Sequence, residues 1–275
     1  MPSSKPPRTP RLVGVVHLPA LPGSPRADAH TSIDQLARGV ARDVTALVRA
    51  GFDAVIVENF GDAPFFPERV EAITVAAMTR CVQAAREAAK GATRFQIGVN
   101  VLRNDALSAL AIAAATGAAL VRINVHVGAV VADQGLIQGR AFETLRTRRA
   151  WGAESVALWV DVDVKHAAQL APRPVVDLAK DAVLRGGADA LLVTGRATGA
   201  PADARDVARL HESLPGTPVL VASGASPDAL AGLANAGAHG VVVGSWLRSD
   251  GKAGGPIDAR RAATFARHFD KHFGR

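Results

Sequence analysis

The chain has 275 residues, 48% of them hydrophobic, enough for one large, well-buried domain or two small ones. Its net charge of +7 sits at its ends, with three positives in the first eleven residues and a net four over residues 251–275; the body is neutral, and 4% aromatics with no tyrosine leave little to stack on bases, which excludes specific nucleic-acid binding. A single cysteine, Cys81, excludes a disulfide framework and a cysteine-rich zinc site, and no apolar run approaches the roughly 18 residues of a membrane span, so a reducing cytoplasm is expected.

Residues 1–11, rich in Pro and Ser around Lys5, Arg8 and Arg11, predict a flexible basic arm without the apolar core of a signal peptide. From residue 12 to 275 one pattern repeats. Short β-branched runs at 12–18, 54–60, 95–102, 120–126, 156–164, 190–195, 218–223 and 239–245 predict eight strands. Helical periodicity follows each, at 36–50, 70–90, 105–116, 139–150, 175–186, 204–214, 227–236 and 259–272. Eight β/α alternations predict a single (β/α)8 TIM barrel. Gly51, Gly117, Gly187 and Gly237 each stand between a helix and the next strand, where a left-handed helix cap is expected. A doubly wound open sheet would want a Gly-rich phosphate turn after its first strand, and His17-Leu18-Pro19-Ala20-Leu21-Pro22 is not one.

In such a barrel the carboxyl ends of the strands carry the chemistry. Here every strand ends in polar residues: His17; Glu58 and Asn59; Asn100 with Arg103; Asn124 and His126; Asp161, Asp163, Lys165 and His166; Thr194; Ser223; and Ser245. The fifth strand is the most polar. Alternation sets Trp159, Asp161, Asp163 and Lys165 on one face and Leu158, Val160, Val162 and Val164 on the other. Burying one unpaired carboxylate costs several kcal/mol, so these groups must be paired, solvated or used.

For acid–base work, Glu58, Asp161 and Asp163 can take protons, His126 and His166 can donate near neutrality, and Lys165 can pair with a carboxylate or activate a carbonyl. His17, Asn59, Asn100, Arg103, Asn124 and Thr194 are the candidates for holding the rest of a substrate. Ser223-Gly224-Ala225-Ser226 and Gly244-Ser245 read as a phosphate cradle, because glycine lets backbone N–H groups approach an anion; Ser223, Gly224, Gly244 and Ser245 are its expected contacts. Thr194-Gly195-Arg196-Ala197-Thr198-Gly199 would add hydroxyls and one positive charge, or form a lid. Glu58 with Asp161, Asp163 and a histidine is an oxygen-rich set that suits a divalent cation, but no compact metal-ligand spacing occurs, and no cofactor is assigned.

Several of these stretches carry a resemblance. Val13-Gly14-Val15-Val16-His17-Leu18-Pro19-Ala20-Leu21-Pro22-Gly23-Ser24-Pro25, Glu58-Asn59-Phe60-Gly61-Asp62-Ala63-Pro64-Phe65, Gly98-Val99-Asn100-Val101-Leu102-Arg103-Asn104-Asp105, Asp133-Gln134-Gly135, Asp163-Val164-Lys165-His166-Ala167 and Ser249-Asp250-Gly251-Lys252 resemble the signatures of the BtpA family, over residues 12–261. The resemblance implies a barrel of the ribulose-phosphate-binding type. It also implies one of two roles: the stabilisation of photosystem I that gives the family its name, or the different role of members from organisms without photosystems, some of which resemble nucleosidases or lie among sugar-metabolism genes; it fixes no chemistry. Loop seven departs from the family, with Ala229 in Ser226-Pro227-Asp228-Ala229 where an asparagine is the more frequent residue, which weakens a side-chain contact there.

Two functions follow. The first is an enzyme, working as a homo-oligomer, that isomerises a small phosphorylated sugar or cleaves the glycosidic bond of a ribosyl compound, with a carboxylate facing a cationic sugar. The second is a non-catalytic assembly factor, docking on a membrane or partner through Phe265, Phe269 and Phe273 and the basic residues Arg260, Arg261, Arg267 and Lys271 of the last helix. Polar groups on eight strand ends favour the enzyme, since a factor that uses only its outer surface has no need of them.

Overall fold

The computed structural model describes residues 8–195 and 201–274; most of the expected basic arm and the loop from Arg196 to Gly199 lie outside the described residues. In chain order the strands are β1 (Leu12–His17), β2 (Ala54–Glu58), β3 (Gln96–Asn100), β4 (Leu120–Ile123), β5 (Ala129–Ala132), β6 (Gly135–Gln138), β7 (Ala157–Val162), β8 (Ala167–Gln169), β9 (Ala190–Val193), β10 (Val219–Val221) and β11 (Gly240–Val243). The helices are α1 (Ile33–Ala50), α2 (Ala72–Ala88), α3 (Ala106–Thr116), α4 (Ala141–Ala150), α5 (Val175–Lys180), α6 (Ala204–Ser213), α7 (Leu230–Asn235) and α8 (Ala259–Phe273). Eight parallel strands close in the order β1-β2-β3-β4-β7-β9-β10-β11, so the chain is a (β/α)8 barrel, each barrel strand lying in one of the eight apolar runs.

Period-two alternation divides the strands between two cores. Val13, Val15, Ile56, Leu120, Trp159 and Leu192 point inward and fill the barrel. Val16, Val55, Val57, Val121, Leu158 and Val160 point outward against the helices. Gly14 makes one such junction possible, since a Cβ there would lie 2.6 Å from a Leu47 methyl of α1. α1 opens on a capping box between Ser32 and Gln35 and closes on Gly51 at φ 85°. Gly117, Gly187 and Gly237 take the same positive φ at the three equivalent joints, 69°, 62° and 83°.

The parallel register places the chemistry. His17 lies opposite Glu58, Glu58 opposite Asn100, and Asn100 opposite Arg122, so four polar residues stand side by side at one level around four consecutive strands.

Two features depart from the expected pattern. β5, β6 and β8 form a separate antiparallel sheet in the order β6-β5-β8, joining the loops that follow β4 and β7. Asp133 and Gln134 form its hairpin turn, and Gly135, the first residue of β6, takes φ 90°. Alternation predicts such short, half-exposed strands poorly, because only Val130 and Ile137 are buried in them. The second departure concerns α8. Phe265 and Phe269 are fully buried and Phe273 is 7% exposed, so the Phe stripe is the inner face of the eighth barrel helix and not a free membrane or partner surface. Among the described residues no helix is long and apolar enough to cross a membrane.

Candidate active site

The level ring set by the register is wired together by side chains. Asn100 Nδ2 donates to Glu58 Oε2 at 2.7 Å. Arg122 lies 3.8 Å from the same oxygen and donates from Nε and Nη2 to the two oxygens of Asp161, both at 2.9 Å. Asn124 Nδ2 adds a third bond to Asp161, at 2.8 Å. Asp161 is thus the paired carboxylate that a buried strand demands, enclosed with its partner in the barrel. Glu58, only 7% exposed, keeps its Oε1 turned toward His17 Nε2 at 3.9 Å.

The protonation of His17 follows from its contacts. Gly254 N–H donates to His17 Nδ1 at 3.0 Å, so Nδ1 carries no proton. Burial, with Arg248, Lys165 and Arg122 nearby, holds the imidazole well below its ordinary value of about 6.5. His17 is therefore neutral, with its one N–H on Nε2. The Phe60 ring, 4.5 Å away, helps to hold this orientation.

The two Gly-rich loops meet this ring. Ser223, Gly224, Gly244 and Ser245 line a cavity of about 40 Å³ together with His17, Glu58, Arg122 and Lys165. Gly244 approaches closely: a Cβ would stand 3.2 Å from His17 Cε1. Gly224, at φ 66°, is in the left-handed region that glycine takes without strain. Lys165 is desolvated here, and burial, followed by repulsion from Arg122, lowers its ammonium pKa.

Other expected contacts serve as supports. Thr194 Oγ1 accepts from Lys165 N–H at 3.2 Å and Arg103 Nη2 donates to Lys165 C=O at 2.7 Å, so both fix the backbone of Lys165. Asn59 accepts from Leu102 N–H at 2.7 Å and donates to Asp62 at 3.0 Å, bracing the loops after β2 and β3.

Asp163, His126 and His166 lie apart from the ring. Alternation ends at Val162: Asp163 takes φ 54° and His166 φ 58°, both conformations that L side chains adopt rarely. Asp163 is exposed and accepts from Gln169 Nε2 at 3.0 Å, instead of continuing the row begun by Trp159 and Asp161. His166 is exposed as well. His126 is buried outside the strands, its Nε2 2.8 Å from Gly186 O. Among the described residues no three His, Cys, Asp or Glu side chains converge as metal ligands, and the set of Glu58, Asp161, Asp163 and a histidine does not assemble.

Two arginines escape a reading of strand ends alone. Arg122 sits inside an apolar strand, where a lone charge signals a buried partner. Arg248, 2% exposed, donates to the carbonyls of Gly244 at 2.7 Å and Val15 at 2.9 Å, clamping the last loop to the first strand.

The two buried histidines predict a pH dependence of stability. Burial lowers the pKa of His126 as well as that of His17. The unfolded state then binds more protons below about pH 6.5, so stability is complete above that value and falls as pH drops below it, by about 1.4 kcal/mol per unit for each histidine. Urea unfolding between pH 7.5 and 5.5 should show this slope, and His17→Gln should reduce it; an unchanged slope would mean that His17 is not desolvated.

A BtpA family model matches residues 8–271. The Photosystem I biogenesis protein BtpA of Synechocystis is 41% identical over 255 residues, 92% of this chain and 86% of that protein. An uncharacterised protein of Thermococcus kodakarensis is 40% identical over 251 residues, 91% of this chain and 92% of its own. In fold the chain is similar to thiamine phosphate pyrophosphorylase from Pyrococcus furiosus, with a TM-score of 0.60 over 96% of this chain and 97% of that one at 13% identity, a likeness of architecture alone. A family match over nearly the whole chain, joined by two relatives at about 40% identity, leaves no second assignment: the chain belongs to the BtpA family.

Proposed function

We propose that this BtpA-family barrel is an enzyme acting on a small phosphorylated sugar or ribosyl compound at the carboxyl end of its strands. The observation that carries this reading is the shared cavity: the loops suited to a phosphate, Ser223-Gly224 and Gly244-Ser245, and the groups suited to acid–base work, His17 and Glu58, line one space. Backbone N–H groups of the loops, with Lys165 and Arg122, would hold the anion. That arrangement presents the sugar to Glu58, which serves as base in an isomerisation or as the carboxylate facing an oxocarbenium-like centre in glycosidic cleavage. Neutral His17, with its Nε2–H, is the donor. Asp161 has both oxygens engaged, so its part is to hold Arg122 at the level of Glu58.

The name of the cyanobacterial relative supports a second reading, a factor in photosystem assembly. The inward Phe stripe of α8 removes the surface on which that reading rested here.

Thermal unfolding with inorganic phosphate and ribose 5-phosphate tests the proposal. A ligand at 100 times its Kd adds about 2.7 kcal/mol to the native state, so a clear upward shift is expected from the sugar phosphate. Gly244→Val, which intrudes on His17, and Lys165→Met should both abolish it. A panel of sugar phosphates without any shift, or a shift that survives both variants, would overturn the proposal.

A further inference from the structure

Lys165 stands half-buried in the wall of the cavity that it shares with His17, Glu58, Arg122, Ser223 and Ser245. Its hydrogen bonds belong to its backbone: its N–H donates to Thr194 Oγ1, and its carbonyl accepts from Arg103 Nη2. Among the described residues its Nζ has neither a hydrogen bond nor an ion pair, yet it is not closed off as Asn100 Oδ1 and Asn124 Oδ1 are. The neighbouring cations are spent. Arg122 is forked onto Asp161, Arg103 holds the Lys165 carbonyl, and Arg248 clamps the carbonyls of Gly244 and Val15. A pinned backbone thus carries an unengaged amine.

The nitrogen, and not merely the stem of the side chain, reaches the ring. Its charge acts on His17, and the charges of Glu58, Asp161, Arg122 and Arg103 act on it. Two guanidinium groups offset the two carboxylates, so the carboxylates do not hold the proton on Nζ as they would alone. Burial, followed by Arg122, lowers the ammonium pKa. A desolvated lysine beside other cations is the form in which this side chain becomes a nucleophile, and its chemical complement is a carbonyl carbon.

We propose that Lys165 Nζ condenses with the carbonyl of an open-chain phosphorylated aldose or ketose to form an iminium. This rests on the sugar-phosphate reading of the same cavity and narrows it, since a glycoside has no free carbonyl. The ammonium first passes a proton to Glu58. The free amine attacks the carbonyl carbon, the C–N bond forms as the C=O π pair moves to oxygen, and a proton passes from nitrogen to that oxygen, giving a carbinolamine. The nitrogen lone pair then expels the hydroxyl, which leaves as water with the proton returned by Glu58. Ammonium and carbonyl have become iminium and water, Glu58 is again ionised, and nothing is oxidised or reduced. The iminium keeps the positive charge of Lys165, so its attraction for the phosphate survives bond formation. A space of about 40 Å³ suits the narrow carbonyl end of an open chain better than a closed sugar ring.

Reductive trapping tests this. The full-length chain is incubated at pH 7.5 with dihydroxyacetone phosphate, ribose 5-phosphate or unphosphorylated dihydroxyacetone, each with sodium cyanoborohydride. This reagent reduces an iminium to a stable secondary amine, and peptide mass spectrometry then locates the modified lysine. At least one sugar phosphate should label Lys165 saturably and about tenfold faster than the exposed Lys90 and Lys252. Dihydroxyacetone should label it more slowly. Lys165→Arg keeps the charge, so a thermal shift with inorganic phosphate should persist while the fast labelling disappears. If neither sugar phosphate labels Lys165 faster than Lys252, the iminium is overturned, and a thermal shift retained in the same samples leaves the phosphate reading standing without it. Fast labelling of Lys165 by all three compounds alike, with no thermal shift from inorganic phosphate, would uphold the iminium and overturn the phosphate cradle.

Discussion

Arg122→Met is expected to lower the thermal midpoint by roughly ten degrees. Arg122 and Asp161 are both enclosed, with side-chain exposures of 3% and 0%. Removing one member of such a pair strands the other charge in a low-dielectric interior, at a cost of about 3–5 kcal/mol. For a chain of this length each kcal/mol corresponds to about 2–4 °C. Asp161→Leu should be similarly damaging for the converse reason. The double variant Arg122→Met with Asp161→Leu should recover part of the loss, because the Asp161 carboxylate is no longer stranded; what persists measures the loss of Arg122 beside Glu58. An exposed pair gives the contrast: Arg80→Met, which breaks the Arg80–Asp34 bridge, should change stability by less than about 1 kcal/mol. Differential scanning calorimetry of the unaltered chain and the four variants separates the cases. If the double variant were as unstable as the two singles summed, Arg122 would be needed for its approach to Glu58 rather than for its charge balance.

How far the sequence reveals this site depends on which force places each residue. The eight strands were legible because their apolar runs are long and their boundaries are marked by glycines that only a left-handed cap explains, as at Gly51 and Gly117. His17, Glu58 and Asn100 were legible as strand-end residues, and the parallel register then brings them to one level. Arg122 was not, although it occupies the next place in the same register, because it lies one turn of alternation before the polar strand end and inside an apolar run. Asp163 shows the opposite failure. Period-two reasoning puts it beside Asp161, but the chain leaves the extended region at Asp163 itself, and the positive φ carries its carboxylate to the surface. The antiparallel sheet was hidden for a related reason: its strands are three or four residues long and mostly exposed, so they leave no apolar periodicity to detect.

Glu58→Gln is expected to lower kcat/KM by about 10²- to 10⁴-fold on whichever sugar phosphate the thermal screen selects, the usual contribution of a positioned acid–base group. The substitution keeps shape and hydrogen bonding. Asn100 Nδ2 still finds an amide oxygen where Glu58 Oε2 now accepts, and Arg122 keeps its charge balance through Asp161. The phosphate-dependent thermal shift should therefore persist, because the cradle loops and Lys165 are untouched. Loss of turnover with binding retained distinguishes a catalytic carboxylate from one that merely braces the ring. Asp163→Asn should leave turnover nearly unchanged, since its carboxylate is exposed and bonded to Gln169 away from the shared cavity. The reverse pattern, with Glu58→Gln active and Asp163→Asn inactive, would move the chemistry out of the barrel mouth and toward a cavity beneath the antiparallel sheet, where Asp163 and His126 share a wall.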